Sequence, residues 1–79
     1  MGGKLMRLSD TRWRYATGRR VYYVKQVRAP DEDLAEPGLY WVDGGANHTG
    51  QLTAHSIEQV AEALNEGQTL TLPPQPVSW

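Results

Sequence analysis

RRVYYVKQVR, residues 19–28, sets Arg19, Arg20, Lys25 and Arg28 around the adjacent tyrosines Tyr22 and Tyr23. Its valines and tyrosines are the residue types that fit a pleated, half-buried surface, so the stretch reads as a strand. Upstream, TRWRYA (11–16) alternates charged and aromatic residues with the period of a second half-buried strand. Ala16-Thr17-Gly18 lies between them, and the pair reads as a hairpin.

Two turn geometries predict different faces. A two-residue Thr17-Gly18 loop pairs Ala16 with Arg19 and Trp13 with Tyr22, and each face then mixes aromatics with arginines. A three-residue loop puts Gly18 in the left-handed position of a bulge, where the missing Cβ avoids a steric cost. It pairs Tyr15 with Arg19 and Trp13 with Val21. One face then collects Trp13, Tyr15, Val21, Tyr23 and Val27. The other collects Arg12, Arg14, Arg20, Tyr22, Gln26 and Arg28. A slip of one residue moves every side chain to the opposite face, so the sorted register is the expected one. Two residues break its pattern: Lys25 falls on the apolar face and Val24 on the polar one. Lys25 is expected to snorkel at the sheet edge or to pair with an acid. The competing reading is a short helix over 11–17, capped by Asp10 and closed by Gly18.

Beyond the hairpin, APDEDLAEPG (29–38) is a connection, with Pro30 breaking the strand and Pro37-Gly38 marking a turn. LYWVD (39–43) is nearly all apolar and reads as a central strand. The glycine-rich loop GGANHTG (44–50) leads into QLTAH (51–55), a returning strand. The helix signals are the clearest in the chain. Ser56 is an N-cap, Gln59 completes a capping box, and Ile57, Val60, Ala61 and Leu64 form one apolar stripe. Gly67 ends the helix. Glu58, Glu62 and Glu66 line its other side, with Glu66 unfavourably near the negative end of the helix dipole. QTLTL (68–72) alternates as a last strand, and PPQPVSW (73–79) is a polyproline-like tail. The expected fold is α+β: an antiparallel sheet of four or five strands with one helix on one face, in the order β-β-β-β-α-β. Residues 1–72 form a single domain and 73–79 a Pro-rich C-terminal tail.

Seventy-nine residues make one small domain, burying roughly 60% of the surface that the unfolded chain exposes. The absence of cysteine removes disulfides, thiol nucleophiles and cysteine-based zinc sites. No apolar run reaches the ~18 residues that a membrane span needs. The start, MGGKLMRLSD, lacks the apolar segment of a secretory signal, so a cytoplasmic protein is expected. The net charge of −1 hides an asymmetry: residues 1–28 carry all eight basic residues and one acid, Asp10, and residues 29–79 carry the other eight acids. Such a division marks a segment for an anionic partner, or two halves that neutralise each other in the fold.

The sorted hairpin register places Arg12, Arg14, Arg20 and Arg28 around Tyr22 on a solvent face, with Arg19 at the turn end. Arginine forks grip acidic groups bidentately, and Tyr and Arg are favoured contact residues at protein interfaces. The same set suits phosphates, with Tyr22 as a stacking platform for an unpaired base. Overall negative charge argues against nucleic acid as the first partner. The plain alternative is that these arginines wet a strand and pair with the acidic loop 31–36.

Other constellations carry less. DGGANHTGQ (43–51) lacks the Gly-Lys-Ser/Thr of a phosphate loop, and a strand separates it from the helix. Asp43, His48, His55 and Ser56 are types used in acid–base chemistry, but Ser56 is already explained as a cap and a thin core offers little shelter for a site. No catalytic residue, metal or cofactor is assigned. His48 and Trp79 form a secondary interface, because an indole at the end of the tail is costly to leave wet. The expected function is a non-enzymatic binding module that occupies a protein partner with an acidic or mixed surface. Its size suits a regulator or inhibitor of the kind that phages and mobile elements encode. The alternatives are nucleic-acid binding through the same face, and self-assembly through Trp79 or through the oppositely charged halves.

Overall fold

A computed structural model describes residues 3–18, 20–45 and 48–67. It contains five strands, β1 (Lys4–Ser9), β2 (Arg12–Thr17), β3 (Arg20–Arg28), β4 (Gly38–Asp43) and β5 (Thr49–Ala54), followed by one helix, α1 (Ile57–Asn65). The strands form one antiparallel sheet in the order β1-β2-β3-β4-β5, each beside its sequence neighbour. The α+β class and the helix after the strands follow the sequence reading. β1 is an addition to it, β2 is a strand where a short helix competed, and the expected strand 68–72 lies outside the described residues.

The hairpin register differs from both expected pairings. Thr17 pairs with Arg20, Tyr15 with Tyr22 and Trp13 with Val24. Gly18 is left-handed as expected (φ +57°). The pairing nevertheless inverts β3 against β2: Tyr22 and Val24 share the face of Trp13 and Tyr15, and Tyr23 and Lys25 share the face of Arg14 and Arg12. The two misfits are thereby resolved, because Val24 becomes 1% exposed and Lys25 moves to the side away from the core. Tyr22 has a further reason to turn inward. The backbone of Gly44 approaches its ring so closely that a Cβ there would sit 2.5 Å from Tyr22 Cδ1.

α1 covers one face of the sheet. Ser56 caps it, its Oγ accepting from Gln59 N at 3.2 Å, and Gln59 Oε1 accepts from His55 N at 2.8 Å. The reciprocal arm of the expected capping box therefore reaches the residue before the cap. Val60 and Leu64 enter the core with Trp13, Tyr15, Tyr22, Val24, Tyr40, Val42, Leu52 and Ala54, and Ile57 and Ala61 pack at its margin. Trp13 meets Tyr40 edge to face at 6.3 Å, spanning β3. The phenols find partners at the rim: Gly3 N donates to Tyr15 OH (2.8 Å) and Gln26 Nε2 donates to Tyr40 OH (3.2 Å). Gly67 (φ +78°) turns the chain after the helix. Among the described residues no helix is long and apolar enough to cross a membrane.

The connection 29–37 folds on itself. Asp31 and Glu36 exchange two backbone hydrogen bonds (3.0 and 2.9 Å), and the Asp31 carboxylate accepts from Asp33 N and Leu34 N. Ala35 closes this turn in the left-handed region (φ +54°), where a Cβ is strained.

Two substitutions test these local constraints by urea unfolding. Gly44→Ala pushes a Cβ into the Tyr22 ring and is expected to lower stability by about 1–3 kcal/mol. Ala35→Gly relieves the left-handed strain, offset in part by the freer unfolded chain, and is expected to raise stability by roughly 0.5–1 kcal/mol.

Candidate interaction surface

Directly opposed residues on neighbouring strands share a face, so the register assembles the surface that α1 leaves uncovered. One row across this face runs Met6, Arg14, Tyr23, Asp43 and Thr49. The next runs Arg12, Lys25, Trp41 and Gln51. Lys4 joins them opposite Ala16. Arg14 and Tyr23 are thus cross-strand neighbours, with Cβ atoms ~5 Å apart by strand geometry. Tyr23 is 48% exposed and Met6 44% exposed, while Arg14 has no hydrogen-bond or ion-pair partner among the described residues. A cavity of about 290 Å³ opens between the two rows, lined by Leu8, Arg12, Trp13, Tyr23, Val24 and Asp43. Its lining thus includes one basic residue, Arg12, and one acidic residue, Asp43.

The residues expected from sequence divide three ways. Arg12 and Arg14 lie on this face. Tyr22 does not: it is 7% exposed in the core on the opposite side, so it offers no stacking platform. Arg20 shares the helix side with Tyr22, and its Nη1 donates to Gly44 O at 3.1 Å, tying the start of β3 to the loop after β4. Arg28 stands at the far end of β3, where Nη2 donates to Pro37 O at 3.3 Å. Arg19 and Trp79 lie outside the described residues. The inverted register carries Arg20 and Tyr22 away from the arginines of β2 and puts Tyr23 and Lys25 in their place. The misfit of Lys25 and Val24 in the sorted register was the sequence signal for this exchange.

The plain alternative pairs the arginines with the acidic turn 31–36. None of its carboxylates forms an ion pair with Arg14, Arg20 or Arg28 among the described residues. Asp31 spends its side chain on its own turn. Arg7 pairs with Asp10 at 2.7 Å, but both side chains are well exposed, and such surface pairs contribute little.

The acid–base types resolve into local structure. Asp43 Oδ1 accepts from Gly45 N (3.1 Å) and Thr49 Oγ1 (3.1 Å), which closes the β4–β5 loop. His48 belongs to that loop through its backbone, donating to Gly45 O and accepting from Gly44 N. Ser56 is engaged as the helix cap. Among the described residues no group of three or more His, Asp or Glu side chains is placed to hold a metal ion.

Compared with protein-family models, with curated proteins and with solved structures, the chain has no match.

Proposed function

We propose that the protein is a non-enzymatic binding module that acts by occupying a protein partner through the helix-free face of β1, β2 and β3. The observation that carries this reading is Arg14, without a partner among the described residues, beside the half-exposed Tyr23 and Met6. An arginine fork between an aromatic and a thioether is the composition of an interface centre: Tyr and Arg anchor contacts, and methionine adapts to the shape it meets. Lys4, Arg12 and Arg14 on the same face favour a partner with an acidic surface, steering its approach and raising the on-rate more than the affinity.

The pairing of Arg14 with Tyr23 also supports single-stranded nucleic acid as a second reading, since a tyrosine beside a guanidinium is a stacking site for a base. The two readings separate by salt and by substitution.

The test compares the wild type with an Arg14→Ala, Tyr23→Ala double variant whose fold is verified by circular dichroism. A partner captured by the wild type is expected to bind the variant about 10- to 100-fold more weakly, an effect of roughly 1.4–2.8 kcal/mol. Equal affinity for both proteins rejects this face. Labelled oligonucleotides form the second arm. Binding at physiological salt that is lost with Tyr23→Ala alone assigns the face to nucleic acid.

A further inference from the structure

Between β3 and β4 the chain gathers four of its acids, Asp31, Glu32, Asp33 and Glu36, within six residues. Leu34, set among them, is 66% exposed, the highest value for a large apolar side chain among the described residues. A lone exposed leucine is ordinary, but this one is held in place. Ala35 N donates to Glu32 O at 3.3 Å, which puts Asp33 and Leu34 at the centre of a tight turn. The Asp31–Glu36 backbone pair and the Asp31 carboxylate close that turn from within. Little conformational freedom is left to lose on docking, so Leu34 is a preformed apolar knob in an acidic setting.

The helix-free face carries the complement. Leu8, Trp13, Tyr23 and Val24 line its cavity, and Leu8 and Tyr23 are about half exposed, so apolar surface there still faces water. Arg12 lines the cavity too, and Arg14 stands directly across from Tyr23. Arg14 has no hydrogen-bond or ion-pair partner among the described residues. The acid in the lining, Asp43, accepts from Gly45 N and Thr49 Oγ1, and these donors offset part of its charge. Knob and cavity do not meet within one molecule. Tyr23 and Arg28 lie five residues apart on β3, about 17 Å, and the turn begins beyond Arg28. Arg28 Nη2 donates to Pro37 O and ties the two sides of that connection together.

We propose that the acidic turn 31–36 of one copy docks on the helix-free face of a second copy, with Leu34 entering the cavity and the carboxylates around it facing Arg14. A six-residue turn makes a contact smaller than the ~1,600 Å² of a standard interface, so the association is reversible and grows with concentration. The inference rests on the face assigned above to a partner and names an occupant that the chain itself supplies.

The test is sedimentation of the full chain over a dilution series, with circular dichroism verifying the fold of each variant. The wild type is expected to associate reversibly, and less as salt is raised. Leu34→Asp removes the knob and Leu8→Asp places an acid in the cavity, and each alone is expected to associate at least about 10-fold more weakly. Mixed, the two variants are expected to form a one-to-one pair, because the Leu8→Asp copy still supplies Leu34 and the Leu34→Asp copy still supplies the cavity. Nuclear Overhauser contacts between differently labelled copies in that mixture are expected from the Leu34 methyls to the Tyr23 ring. A wild type that is monomeric at every concentration overturns the proposal. So does association indifferent to salt or to Leu34→Asp, or a pair of variants that does not combine. The partner reading is judged apart, because Leu34→Asp leaves the face intact. At concentrations where the chain is monomeric, this variant is expected to bind a captured partner like the wild type, whereas the Arg14→Ala, Tyr23→Ala variant is not.

Discussion

The ring of Tyr22 lies over the bare backbone of Gly44, and the phase of the whole third strand follows from that contact. A strand has a period of two, so one side chain fixed inward fixes all its neighbours. With Tyr22 inside, Val24 meets the core between Trp13 and Val42, and Tyr23 and Lys25 turn outward beside the arginines of β2. Arg20 secures the same junction from the backbone side, through the Gly44 carbonyl. The core under α1 and the basic face opposite it are thus two results of one close approach.

Much of this was legible in the residues. Ser56, Gln59, the Ile57–Val60–Ala61–Leu64 stripe and Gly67 define α1, because capping and periodicity are local signals. The alternation in TRWRYA and the apolar run LYWVD likewise reveal strands. β1 escaped notice because LMRLS has no clean alternation and almost all of it is exposed at the sheet edge. The hairpin register is hidden because sorting arginines from aromatics favours the opposite phase of β3. The fold tolerates Tyr23 in solvent to bring Tyr22 and Val24 inside. Arg12 and Arg14 were found, since β2 has an unambiguous alternation. Tyr22 was misassigned with β3, and Gly44, the residue that decides the matter, lies over twenty positions away.

The charge asymmetry along the chain has a structural counterpart. Strand order in space equals strand order in sequence, so the basic first third becomes one side of the sheet, β1 to β3. Most of the acids fall elsewhere, at the 31–36 turn and on the exposed side of α1, while Asp43 shares the face of Arg14 and Asp10 pairs with Arg7. A near-zero net charge therefore conceals an uneven distribution of charge over the molecule.

The neighbour-only strand order also bears on how the chain folds. Each strand can zip onto the one synthesised just before it, with short loops to close and no distant segment to await. During synthesis the three basic strands can therefore form ahead of α1. Until the helix arrives, Trp13, Tyr15 and Tyr22 are a wet aromatic surface, the kind that draws nascent chains into aggregates. The charges on the back of that early sheet, Lys4, Arg12 and Arg14 among them, give neighbouring chains a reason to keep apart in the interval.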